Sequence, residues 1–124
     1  MRERIRILLV DDMLTVTAIE RVILGEGYDY SEARNGDEAV TRALADQPAL
    51  ILMDLNMPIT DGLWGLSNLK AEPRTHHIPV VIVSSSDGAV IETCRLLGCA
   101  DFVRKPIDPT RLRETVKKLV GDKP

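Results

Sequence analysis

Three near-continuous apolar runs, residues 5–10 (IRILLV), 49–53 (ALILM) and 78–83 (IPVVIV), constrain this chain more than any other feature. They do not alternate apolar with polar, as a strand with one wet face must, so each is expected to be buried on both faces. Strands of that kind belong to a parallel sheet with helices packed above and below it. Residues 28–33 and 101–104 are shorter or more polar strand candidates and suit less central positions.

Between the runs lie stretches of helix length. Val16, Ile19, Val22 and Ile23 predict an apolar helix face, and Gly25 and Gly27 suit its end. Ala39, Val40, Ala43 and Leu44 predict a second, preceded by the turn signal Asn35-Gly36. A third should start near Asp61-Gly62, carry Leu63, Leu66 and Leu69, and stop before Pro73. A fourth carries Val90, Ile91, Cys94 and Leu97 and ends at Gly98. A fifth opens with Asp108 as N-cap and Pro109 at its first position, then runs through Leu112, Val116, Leu119 and Val120. The order is βαβαβαβαβα, an α/β doubly wound sheet of five parallel strands with five helices. At 124 residues the chain has the length of one domain, expected to span 1–124.

In such a sheet the functional groups collect at the carboxyl ends of the strands. Asp11 and Asp12 follow the first run, Asp54 the third strand, Ser84 the fourth and Lys105 the fifth. Three carboxylates brought together repel one another unless a cation sits among them. Oxygen ligands without His or Cys select a hard divalent ion, and so few carboxylates suit Mg²⁺ better than a full Ca²⁺ cage. Taken alone, Asp11 or Asp12 could simply cap the helix that begins near Met13, Lys105 could be a surface lysine and Ser84 a strand-end hydroxyl. Their joint placement instead describes a receptacle for a phosphoryl group, whose oxygens need neutralising on several sides. A carboxylate at its centre can attack phosphorus and form an acyl phosphate.

The segments ILLVDD, LILMDLNMPITDG, IPVVIVSS and ADFVRKP, in that order, resemble the receiver domain of two-component response regulators over essentially the whole chain. The resemblance implies a flavodoxin-like fold with strand order 2-1-3-4-5. It implies that Asp54 accepts a phosphoryl group from a sensor histidine kinase or a histidine phosphotransfer protein. Asp11, Asp12 and Asp54 with the backbone carbonyl of Asn56 would hold Mg²⁺, or Mn²⁺. Lys105 would contact the acceptor and then the phosphate, with a cis peptide before Pro106. Ser84, with Ser85 beside it, would bind the phosphate, and Phe102 would turn inward as the Ser84 hydroxyl moves. That is a phosphorylation switch read out on the fourth helix, fifth strand and fifth helix. It is a signalling module, not an enzyme with a separate substrate: it would promote only its own Mg²⁺-dependent phosphorylation and dephosphorylation. A phosphorylation-dependent homodimer through that surface is left open, and Arg95, Arg104, Arg111, Arg113, Lys117 and Lys118 would make it locally basic. The downstream partner is an unknown protein target or an effector domain absent from this sequence.

Other readings of the same chain are weaker. A phosphatase or transferase would need a cap or substrate loop, and a nucleotide or flavin binder would need a glycine-rich turn where this chain has VDDMLT. A degenerate receiver, used only as a binding surface, would lack some of the residues that are all present here. With 16 basic against 19 acidic residues the net charge is −3, which argues against nucleic acid as a partner. No run approaches a membrane span, and the short apolar start followed at once by two acids does not fit a signal peptide. The expected location is cytoplasmic. Cys94 and Cys99 lack metal or redox spacing and are expected to be reduced and packed, Cys99 replacing a usual alanine in the core. Two departures from the family bear on shape. The stretch from Ser84 to Gly98 is about one residue short, with Gly88 expected in the loop before the fourth helix. Trp64 precedes Gly65 and is expected to fold over the gap that the glycine leaves, the alternative being a partly exposed contact for a partner.

Overall fold

A computed structural model describes residues 4–121. Its elements run β1 (Ile5–Val10), α1 (Leu14–Leu24), β2 (Tyr28–Ala33), α2 (Gly36–Asp46), β3 (Leu50–Met53), α3 (Gly62–Ala71), β4 (Val80–Ser84), α4 (Gly88–Leu97), β5 (Asp101–Arg104) and α5 (Pro109–Val120). All neighbouring strands pair in parallel, in the order β2-β1-β3-β4-β5. This is the doubly wound, flavodoxin-like arrangement expected, with the three most apolar runs in the middle and the polar strands at the two edges.

Successive strand residues point to opposite faces, and each face is a separate core. Leu8, Val10, Ile51, Met53 and Ile82 meet Ala39, Ala43, Leu66, Leu69 and Cys94 from α2, α3 and α4. Ile7, Leu9, Leu50, Leu52, Val81 and Val83 meet Leu24, Leu112 and Val116 from α1 and α5. Each such buried aliphatic side chain contributes about 1.5–3 kcal/mol relative to exposure, so the central strands anchor both layers.

The boundaries shift where backbone chemistry requires it. β4 starts at Val80, later than expected, because Pro79 has no N–H to give to the ladder, and it extends to Ser84, which pairs with Arg104. Ala49 falls outside β3, although its N–H still donates to the Arg6 carbonyl at 2.8 Å. Four helices are capped by acid or amide side chains as the turn chemistry suggests: Asn35, Asp61, Asp87 and Asp108. Gly88 is not in the loop; Asp87 caps the helix and Gly88 is its first residue.

One expectation about packing is corrected. The buried face of α1 is Thr17, Glu20 and Leu24, whereas Ile19 is 50% and Val22 81% exposed. Polar ties to β2 set this rotation: the Thr17 hydroxyl donates to Glu32, and Arg21 pairs with Glu32 while lying over the Tyr30 ring. A Cβ at Gly65 would lie 3.1 Å from the Met53 sulfur and 3.2 Å from the Gly36 Cα. Trp64 lies against Gly36 at the α2–α3 crossing and stays 40% exposed.

Candidate functional site

Strand register explains why the polar residues converge. Val10 is opposite Met53, so the next residues, Asp11 and Asp54, emerge side by side where β1 and β3 end. The Asp54 N–H donates to the Val10 carbonyl at 2.9 Å, continuing the ladder one step past the apolar run. Ser84 is opposite Arg104, which places Lys105 one step beyond the end of β5, and the Lys105 N–H donates to the Ser84 carbonyl at 3.1 Å.

Asp11 and Asp54 are buried and Asp12 is exposed, with carboxylate oxygens of all three within 4.8 Å of one another. Lys105 is the cation set against them: its Nζ lies 3.0 Å from Asp11 Oδ2 and 3.5 Å from Asp54 Oδ2. The other Asp54 oxygen accepts from the Leu55 N–H at 2.8 Å. Burial pushes the Asp54 carboxyl above its ordinary range; Lys105 opposes that and Asp11 adds to it. Burial alone would lower Lys105, but the hydrogen bond to Asp11 and the charge of Asp54 outweigh it and raise the ammonium. Asp11 also serves the helix, since its Oδ1 accepts from the Met13 N–H at 2.9 Å. That bond shapes the turn before α1 without capping it, since the N-cap, Met13, has no side-chain cap. Two buried acids and one exposed acid, with a single ammonium among them, form an all-oxygen donor set that fits a hard divalent cation.

The remaining residues lie around this cluster. Ser84 is fully buried, and its hydroxyl is 3.1 Å from that of Ser86, not bonded to the carboxylates. Ser85 is exposed beside it, and Asn56 is exposed after Asp54. Phe102 is half-buried against the α2–α3–α4 core. The Lys105–Pro106 peptide is cis. Along α4, β5 and α5 the basic residues are partly spent: Arg95 pairs with Glu92, Arg111 with Asp101, and Arg104 donates to the Ser86 carbonyl.

Two residues near the site escaped the sequence reading. Arg34 donates from Nη1 to the Asp11 carbonyl at 2.9 Å and also pairs with Glu32, tying β2 to the acid cluster. Glu20 is buried on α1 with Asp11, Asp54 and Lys105 close enough to act on it electrostatically. The available signal was an acid two residues after Ala18, inside an otherwise apolar turn, Ala18-Ile19-Glu20.

Residues 7–117 match the family model of the response regulator receiver domain. Response regulator PleD of Caulobacter vibrioides is 40% identical over 116 residues, which cover 92% of this chain but 26% of PleD, so the chain spans about a quarter of that relative. The polar-differentiation response regulator DivK of Brucella anthropi is 35% identical over 113 residues, covering 90% of this chain and 92% of DivK. Among solved structures, the phosphorylated cyanobacterial phytochrome response regulator RcpA superposes with a TM-score of 0.79 at 28% identity, over 94% of this chain and 91% of that one. No described helix is long and apolar enough to cross a membrane. Sheet order, acid cluster and a sequence match running from the first strand into the last helix agree, and the chain belongs to the receiver domains of two-component response regulators, which are signalling modules.

Proposed function

We propose that this chain accepts a phosphoryl group on Asp54 and passes the resulting change of shape to a partner. The observation that carries the reading is the position of Asp54: buried, held on one oxygen by the Leu55 N–H and facing Lys105 with the other, with Asp11 and Asp12 beside it. In transfer from a phosphohistidine, an Asp54 oxygen forms a bond to phosphorus while the P–N bond breaks, and the electron pair leaves with the imidazole, which is then protonated. Asp11, Asp12, Asp54 and the Asn56 carbonyl would hold Mg²⁺ or Mn²⁺, which supplies charge neutralisation for the phosphoryl oxygens. Lys105 supplies a second positive charge, already aimed at the acceptor.

The new phosphate adds charge and acceptor oxygens where a single carboxylate stood. Lys105 and the Ser84 and Ser85 groups are the donors in reach of that edge, and to serve the phosphate Ser84 must give up its Ser86 contact. Movement of Ser84 frees space beside Phe102, and the α4–β5–α5 surface carries the change outward. A sensor histidine kinase or histidine phosphotransfer protein is the donor. A groove lined by Val16, Ile19, Pro106 and Ile107 beside Lys105 offers it an apolar seat next to the acceptor. The receiver acts as a single domain over 1–124, in the cytoplasm, and its output is a separate protein, a second copy or an effector domain outside this sequence.

Incubation with Mg²⁺ and acetyl phosphate, followed by intact-mass measurement, tests the reading. The wild type should gain one phosphoryl group, and Asp54→Asn or chelation of the metal should abolish the gain. An unmodified wild type would sink the assignment.

A further inference from the structure

Among the described residues, Glu20 is the one buried acid that the scheme above does not use. It is 2% exposed on the inner face of α1, and its Oε1 is the buried side-chain oxygen without a hydrogen-bond partner among the described residues. It lies outside the cluster of Asp11, Asp12 and Asp54 and acts on it through space.

The surroundings explain why no partner reaches it. The groups facing Glu20 are Asp11 after β1, Asp54 after β3, Glu32 on β2 and Lys105 after β5. Three of these are acids. Lys105 is committed to Asp11 and Asp54, and Glu32 is held by Arg21, Arg34 and Thr17. Thr17 shares the buried face but divides its hydroxyl between the Leu14 carbonyl and Glu32. From α5, the interior receives Leu112, Thr115 and Val116, none of them charged. Burial above all, then the charge of Asp11, pushes the carboxyl up to about 8. A positive charge arriving among Asp11, Asp12 and Asp54 reverses the local field, and a nearby cation favours the ionised form of an acid.

We propose that Glu20 is an outlying acid of the cation site: neutral in the metal-free protein, it ionises when a divalent cation is seated among Asp11, Asp12 and Asp54, so that cation uptake releases a proton to solvent. The inference rests on the reading of those three residues as a Mg²⁺ site. The balance is simple: Mg²⁺ enters, the Glu20 O–H bond breaks, its electron pair stays on the carboxylate and the proton leaves, with no change of oxidation state. Mg²⁺ affinity must then rise with pH, by up to about tenfold per unit, until Glu20 is already ionised without the metal.

The test uses the full chain and MgCl₂. Calorimetric titrations in two buffers of different protonation enthalpy, at about pH 7 and about pH 8.5, read proton release and affinity together. Wild type should release close to one proton at the lower pH and bind several-fold more tightly at the higher. Glu20→Gln, which copies the neutral acid, and Glu20→Leu, which replaces it by an apolar side chain, should each bind with little proton release and little dependence on pH. Equal proton release in wild type and both variants would overturn the inference by placing the proton elsewhere, and no release from wild type would overturn it as well. A wild type that binds no Mg²⁺ at either pH defeats the metal site itself, whereas Mg²⁺-dependent phosphorylation without proton release defeats only the role of Glu20.

Discussion

Burial, reinforced by the charge of Asp11, moves the Glu20 carboxyl from its ordinary 4.5 up to about 8. Between those values the folded, metal-free protein keeps a proton that the unfolded chain has released, so stability falls as pH rises from about 4.5 to about 8. The slope from this group is at most about 1.4 kcal/mol per pH unit, and outside the window the two states titrate alike. Urea unfolding in the presence of a chelator should therefore show a shallower decline for Glu20→Gln than for wild type; parallel curves would count against a neutral buried carboxyl. The same residue marks where the sequence stops being legible. Asp11 and Asp54 could be read because each follows an apolar run whose end is unambiguous, and Lys105 because it follows the short strand candidate at 101–104 and precedes Pro106. Glu20 could not, because Leu14, Val16, Ala18, Ile19, Val22, Ile23 and Leu24 spread apolar surface around most of α1. Periodicity then leaves the rotation of the helix undetermined, and the Thr17–Glu32 bond that fixes it joins residues on different elements.

At the scale of elements, the start of α3 is built against the backbone of Asp54 and Leu55, just past the end of β3. A Cβ at Gly62 would lie 2.2 Å from the Asp54 carbonyl oxygen and 2.7 Å from the Leu55 Cα, so backbone would have to move. Gly62→Ala should cost about 1–3 kcal/mol and slow phosphorylation, because the displaced backbone carries Asp54. Gly88→Ala offers the contrast: nothing lies within 4 Å of its Cβ position, at the first turn of α4, and the change should be neutral or stabilise by up to about 1 kcal/mol. Denaturation midpoints and acetyl phosphate labelling of the pair check this, and equal behaviour of the two variants would refute the close approach. Element order and the Asp108 cap were legible because runs and turn residues agree; the Asp87 cap was not, because Gly88 reads as a loop residue. The β4 boundary depended on a missing proline N–H and on pairing with β5. The seat of Trp64 depended on how closely α2 and α3 cross, a distance set by Gly36 and Gly65 together and carried by neither alone.

For the whole molecule, the two layers share one sheet, and ligand binding at its edge is linked to global stability. A cation that binds the folded cluster and not the unfolded chain stabilises by mass action, by about 1.4 kcal/mol at ten times its Kd. Millimolar Mg²⁺ should raise Tm by a few degrees in wild type and by clearly less in Asp12→Ala; an equal shift in both would place the ion elsewhere. The sheet's two margins have a different consequence. Among the described residues, β2, which reads YDYSEA, and the four-residue β5, which reads DFVR, are the strands whose outer sides lack a neighbour. Charged residues on short outer strands disfavour recruitment of a foreign strand. Concentrated solutions of this protein should therefore self-associate, when they do, through helical faces and reversibly, because the route to cross-β fibres is guarded at both ends of the sheet.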